Sequence, residues 1–227
     1  MPTVAFVSPK GGAGKTTASL LLALGLEEQG LRVAMIDSDP NKPLMAWAAM
    51  PGRPENITVH PAPMPQDVRD ALREAQRRQP DWVILDTEGS MRGAMAFTSM
   101  RLDMVITPLA ASQLEADQAI KAAEMVGQFG ARSGMPLKHR CLLTRVPAAL
   151  RPRSLKMVVE RLRENGVALL PTALIEKEAF RTLFAVGGGF ASLEASGVSG
   201  VASARENAKT YLEAVREAIA PAAAAVG

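Results

Sequence analysis

Between Ser8 and Thr17 the chain reads SPKGGAGKTT, a run whose residue types and spacing suit phosphate chemistry. Gly11, Gly12 and Gly14 let the backbone turn so that successive N–H groups, including that of Ala13, point inward at phosphate oxygens. Lys15 is spaced to neutralise β/γ-phosphate charge, the Thr16 hydroxyl to ligate Mg²⁺, and Thr17 to contact an α-phosphate. The general pattern G-x-x-x-x-G-K-[ST] asks for glycine where this chain has Pro9, and it asks for no second lysine, yet Lys10 is present. Three carboxylates complete the set. Asp37 and Asp39 lie in VAMIDSDP and Asp86 in DWVILDTEGS, each at or just past the end of an apolar run. Mg²⁺ bound to a triphosphate keeps several waters, and carboxylates at strand ends hold those waters. The string DSDP also suits a plain turn; beside a phosphate loop the metal-facing reading is preferred.

Such residues need a scaffold that brings strand ends together. Short runs rich in Val, Ile and Leu recur along the chain: TVAFVS, RVAMIDS, ITVHPA, DWVILDT, MVITPLA, RCLLTRV and VALLPTALI. Their continuous apolar character fits parallel strands buried on both faces. Helical patterns over Thr16–Gln29, Gln66–Gln79, Glu115–Phe129 and Ser154–Asn165 separate them, with Gly30 and Gly166 placed as C-caps. This alternation predicts an α/β fold with a doubly wound, mostly parallel sheet flanked by helices on both faces. With no repeat and no clear linker, residues 1–227 are read as one domain. MPGRPENITVHPAPMPQD reads as loops around an edge strand, Val186–Gly200 as a mobile surface loop, Val201–Ala220 as a final amphipathic helix and 221–227 as a frayed tail.

Composition narrows the function classes. No apolar run approaches the ~20 residues of a membrane span, and the N-terminus lacks the basic lead of a signal peptide. One cysteine, Cys141, excludes an internal disulfide and suits a reducing cytoplasm. With only His60 and His139 beside it, a zinc cluster and a Ser-His-Asp mechanism are set aside.

The string KGGAGKTT resembles the deviant Walker A motif of the ParA/MinD family of P-loop ATPases. VAMIDSDP, DWVILDTEGS, VITPL and LLPTALIEKEAF are similar to that family's later motifs, so the resemblance runs from Val4 to about Ile219. It implies ATP and Mg²⁺ as cofactors and a nucleotide sandwich dimer in which Lys10 reaches the partner's ATP in trans. It implies that Lys10, Lys15 and Asp39 are catalytic, with hydrolysis depending on Asp39, and that Thr16, Asp37, Asp39 and Asp86 surround the metal. Thr144, Arg145 and Pro171 match the base pocket, although Pro171 also reads as an ordinary strand-ending proline. Many relatives carry two prolines after Thr87, where this chain has Glu88 and Gly89; Glu88 either assists the water or, the reading taken, caps the next helix. DTEG, TRVP and EKEAF are closest to a short ParA branch that includes VirC-type and minimal plasmid-partition proteins. The chain starts at its first strand, so no N-terminal DNA-binding extension is expected.

Formal charge is +3, but from Lys138 to Arg163 eight cations face the single acid Glu160. Such a patch is the footprint of a phosphate-backbone binder, and without aromatic interleaving the expected partner is DNA of any sequence. Arg151, Arg153, Lys156, Arg161 and Arg163 are the expected contacts, with Arg181, Arg205, Lys209 and Arg216 as substitutes. The alanine-rich end argues against a membrane-binding helix. The leading expectation is an ATP-driven, nucleoid-associated positioning protein of the cytoplasm with a stimulating ParB-type adaptor. Its rival is a metabolic P-loop ATPase, a small-molecule ligase or a metal-centre delivery protein.

Overall fold

The computed structural model describes residues 1–89, 101–134, 137–147 and 153–220. The seven apolar runs form strands β1 (Thr3–Phe6), β2 (Val33–Ser38), β3 (Ile57–Pro61), β4 (Trp82–Thr87), β5 (Met104–Leu109), β6 (Lys138–Val146) and β7 (Leu169–Ile175). Between them, among the described residues, lie α1 (Lys15–Glu27), α2 (Pro43–Ala48), α3 (Val68–Arg77), α4 (Gln113–Ser133), α5 (Arg153–Glu164), α6 (Glu178–Val186), α7 (Phe190–Ala195) and α8 (Val201–Ile219). The strands form one sheet in the order β3-β2-β4-β1-β5-β6-β7, and every pairing is parallel. The chain leaves β1 toward β2 on one side and later enters β5 on the other, so β1 is the switch point, where open α/β sheets bind ligands at strand C-termini.

Side-chain alternation assigns the faces. Val4, Phe6, Met35, Ile84 and Ile106 share one core with α1 and α8. Ala5, Val7, Ala34, Ile36, Val83 and Leu85 share the other with α3 and α4. A third cluster joins β6 to α4 and α5 through Cys141, Ala116 and Leu162. Helix α1 is apolar nearly all round, and Leu20, Leu21, Leu22 and Leu26 are fully buried, as expected of a helix enclosed by core. Each such leucine contributes about 2 kcal/mol by burial. Helix α3 is amphipathic: Val68, Ala71 and Ala75 face the sheet, while Asp70–Arg73 and Glu74–Arg77 pair on the solvent side.

The expected fold class is therefore the observed one. The expectation of a mobile loop over Val186–Gly200 is corrected. Residues Phe190–Ala195 are helical, Phe190 and Leu193 are buried, and Trp47 Nε1 donates to the Gly188 carbonyl at 3.0 Å. Gly187 and Gly188 serve close packing: a Cβ on Gly188 would lie 2.1 Å from Ser192 Oγ.

Candidate active site

The phosphate loop leaves β1 at the sheet's C-terminal edge. Its first turn is held by Ser8, whose hydroxyl donates to the Lys10 carbonyl at 3.0 Å. Gly14 precedes α1 with φ 88°, a left-handed conformation that costs a side-chain-bearing residue about 1 kcal/mol or more. From there Ala18 N–H donates to the Gly14 carbonyl at 2.9 Å and α1 begins. Two residues from the end of β6 brace the loop from outside. Thr144 Oγ1 donates to the Ala13 carbonyl at 3.1 Å. Arg145, itself at φ 53°, donates its guanidinium to the Gly12 carbonyl.

The two lysines occupy different environments. Lys15 is buried at 6% exposure, and its ammonium lies 3.4 Å from the Lys10 carbonyl. Burial lowers its pKa below the ordinary lysine value, while Asp86, Asp39 and Glu88 pull it back up. Lys10 is exposed on the same loop.

The carboxylates converge by strand register. Phe6 pairs with Asp86 across β1–β4, and Asp86 with Asp37 across β2–β4. Registered neighbours in a parallel sheet point to the same face, so both acids lie on the α1 side. They differ in use. Asp37 accepts from the N–H of Met45 at 2.9 Å and of Asp39 at 3.3 Å, which ties the start of α2 to the strand end. Burial raises its pKa, and these backbone donors oppose the rise. Asp39 is half-buried and closes a turn by accepting from Asn41 N at 2.8 Å. Asp86 is fully buried, and neither oxygen has a hydrogen-bond partner. Burial pushes its carboxyl up to about 7; the Thr16 hydroxyl and then Lys15 oppose this. Thr16 acts from nearby without forming a hydrogen bond of ordinary geometry. A buried carboxylate with two free oxygens, beside Thr16 and Asp39, is a donor set that fits a hard divalent cation such as Mg²⁺.

Next to the loop lies a cavity of about 380 Å³ lined by Gly14, Thr17, Thr144, Arg145, Phe180 and Arg181, among others. Thr144 and Arg145 join it as the sequence suggests. Pro171 does not: it is exposed on β7 and lines a separate groove against α5. Leu174 and Ile175 at the end of β7, and Glu176 and Lys177 just beyond it, line the cavity instead. The signal for the last three was the string IEKEAF, whose acid Glu176 is ion-paired to Arg181.

The basic segment is dispersed. Lys138 Nζ donates to the Ile219 and Ala220 carbonyls, both at 2.6 Å, and caps α8. On α5, Arg161 pairs with Asp117 at 2.7 Å and Lys156 with Glu160 at 3.7 Å. Arg153 and Arg163 are exposed and have no ion-pair partner among the described residues; Arg151 lies outside those residues. Among the substitutes, Arg181 pairs with Glu176 and Glu178, and Arg205 with Glu28 and Glu194. The helix that Glu88 would cap also lies outside the described residues. No helix among the described residues is long and apolar enough to cross a membrane.

An all-parallel sheet with its glycine loop at the switch point defines a P-loop NTPase fold. Within that class, the family model described as VirC1 protein matches residues 1–224. The chain belongs to this family, a branch of the ParA/MinD group of P-loop ATPases. It is 31% identical over 219 residues to the ParA protein of Rhizobium radiobacter, covering 95% of this chain and 96% of that one. It is 27% identical over 201 residues to the maintenance of carboxysome distribution protein A of Halothiobacillus neapolitanus, covering 87% and 90%. The solved ATP complex of McdA from Cyanothece has a TM-score of 0.73 at 16% identity, covering 95% of this chain and 96% of that one.

Proposed function

We infer that the chain, as a single domain, is an Mg²⁺-dependent ATPase that dimerises on ATP, binds DNA of any sequence and positions a cargo. The observation that carries this reading is the pair of lysines on one loop. Lys15 is buried beside Asp86 and Thr16, placed to neutralise phosphate charge within its own site. Lys10 is exposed and so is free to act outside its own protomer, on the nucleotide of a second copy. Asp86, Asp39 and Thr16 would hold Mg²⁺, which would neutralise phosphate charge when bound; Asp37 would hold the Asp39 turn in place. Asp39 would orient the attacking water. Work is done by switching, because ATP and ADP forms that differ in affinity for a partner shift populations between states.

Positioning is supported by the relatives' names, a ParA protein and a carboxysome-distribution protein. A ParB-type adaptor would stimulate hydrolysis, and the protein would reside on the nucleoid in the cytoplasm. Metal-centre delivery is disfavoured by Cys141, which is buried and whose thiol burial pushes up to about 12.

DNA contact falls to Arg153, Lys156 and Arg163, the cations on α5 that have, among the described residues, no ion pair or only a long, exposed one. The test is retention of random-sequence DNA across a salt series, with ATP and with ADP. Each phosphate neutralised contributes about −0.9 to the slope of log affinity against log salt. Wild type should be retained with ATP only, and the triple glutamate variant should bind weakly with a flatter slope while still dimerising. Failure of wild type to bind DNA with either nucleotide would sink this part of the reading.

A further inference from the structure

The end of β6 meets the phosphate loop at two consecutive carbonyls. Thr144 is buried, and its hydroxyl donates to the Ala13 carbonyl at 3.1 Å. The Arg145 guanidinium donates to the Gly12 carbonyl just before it. In a trans peptide the N–H points opposite to the C=O. With both carbonyls turned toward β6, the N–H groups of Ala13 and Gly14 are aimed together away from it. The backbone agrees: Gly12 and Gly14 have φ of 82° and 88°, while Ala13 between them is not left-handed. Such alternation lines up N–H groups as an anion-binding concavity. Strand β6 is shaped for this contact. Arg145 holds a left-handed backbone at φ 53°, which costs a residue with a side chain some stability. The register between β6 and β7 shifts across Leu143 to Val146, the same two-residue stretch. Thr144 also packs on Gly14, where a Cβ would lie 3.5 Å from its hydroxyl oxygen and 3.6 Å from its methyl.

We propose that Thr144 and Arg145 are positioning residues that hold the phosphate loop in its anion-binding shape through the Gly12 and Ala13 carbonyls, and so set affinity for a phosphate chain whatever base it carries. This rests on the nucleotide reading above. Both residues line the neighbouring cavity, but the hydrogen bonds they donate run to the loop. Thr144 has a single hydroxyl proton, and it is committed to Ala13. Without these donors the two peptides are free to rotate, and the N–H groups no longer converge.

The experiment is calorimetric titration of ATP and of inorganic triphosphate, each with saturating Mg²⁺, into the full chain and into Thr144→Val, Thr144→Ser and Arg145→Gly. Thr144→Val keeps the shape and removes the donor, so both ligands should weaken about tenfold, the scale of one lost hydrogen bond with a buried carbonyl left unpaired. Thr144→Ser returns the hydroxyl and should restore most of that affinity. Arg145→Gly accepts the left-handed backbone at no steric cost. Both ligands should weaken about fivefold in it while its thermal midpoint holds or rises, a divergence that general loss of structure does not give. If Thr144→Val does not fold, Thr144→Ser and Arg145→Gly decide the matter. Weakening of ATP alone overturns the proposal by making the two residues base contacts. Unchanged affinity in Thr144→Val or Arg145→Gly overturns it too. So does weakening in Thr144→Ser equal to that in Thr144→Val, which would leave packing alone, and so does a wild type that binds ATP but not inorganic triphosphate. If wild type binds neither ligand better than Lys15→Ala does, the nucleotide reading itself fails, an outcome separate from all of these.

Discussion

Asp86→Asn should make the protein more stable in metal-free buffer and unable to bind Mg²⁺-dependent nucleotide. The Asp86 carboxylate is fully buried, has no hydrogen-bond partner on either oxygen and lies in register beside Asp37. Burial carries its carboxyl from the ordinary 3.8 to about 7, which corresponds to a folding penalty of about 4 kcal/mol. The native carboxyl binds protons more readily than the unfolded one, so this penalty is complete above pH 7. It shrinks as pH falls and is gone below 3.8. The asparagine amide, left with unpaired polar atoms, returns about 2 kcal/mol of that. The net expectation is a gain of about 2 kcal/mol at pH 8 and none at pH 5. Urea denaturation with EDTA at both pH values measures it, with calorimetry of ATP and Mg²⁺ as the second readout. A variant equally or less stable than wild type at pH 8 would refute the unpaired buried charge. Unchanged Mg²⁺-dependent binding would remove Asp86 from the metal site.

Lys10→Ala should keep nucleotide affinity within about threefold and lose ATP-dependent dimerisation by light scattering; a normal dimer would exclude the trans role. His139 bonds Thr107 Oγ1 at 2.9 Å, and burial holds its pKa down to about 4. Its neutral form therefore contributes stability that is complete above pH 6.5 and lost as pH falls toward 4, up to about 3 kcal/mol. Relative to wild type, His139→Gln should flatten the fall in urea midpoint across that window; parallel curves would refute the assignment. Asn207 pairs with Ile175 N and the Ala173 carbonyl, both at 2.8 Å, and so closes the exposed edge of β7. Asn207→Ala should cost about 2 kcal/mol by leaving these backbone groups unpaired, read as a lower thermal midpoint; no change would mean that water replaces the amide freely.

Much of the site was legible because its chemistry is local in sequence. The loop from Lys10 to Thr17 is contiguous, and the strands that carry Asp37 and Asp86 one residue from their ends announce themselves as apolar runs. Legibility falls where position depends on a neighbouring strand. Pro171 looked like the end of β7, but β7 is an edge strand, where a residue without an N–H is tolerated, and it continues to Ile175. Its register against β6 also shifts along the pair, so counting along the chain could not show that the cavity is reached only at Leu174 and Ile175. In Val186–Gly200, composition suggested looseness, whereas at Gly187 and Gly188 Met50, Pro51 and Ser192 approach too closely for a side chain.

Charge was the least legible property, because a run of cations has no direction until the fold supplies one. Lys138 and Arg163 belong to one basic segment, yet Lys138 serves the end of α8 while Arg163 faces solvent. Arg145, in the middle of that segment, is turned onto Gly12 of the phosphate loop. The acids sort in the same way. Asp37 and Asp39 are two residues apart, yet Asp37 is committed to backbone N–H groups while Asp39 acts on Lys15. An ion pair or a backbone contact withdraws a charge from intermolecular work at little cost in stability, since exposed pairs are worth about 0–1 kcal/mol. Among the described cations named for phosphate or DNA contact, those left without an ion pair include Lys10 on the phosphate loop and Arg153 and Arg163 on α5, beside which Lys156 is held only by a long, exposed pair. The loop cation and the helix cations are therefore separable by substitution. Losing the first should abolish the dimer, and with it DNA retention; losing the second should abolish DNA retention alone.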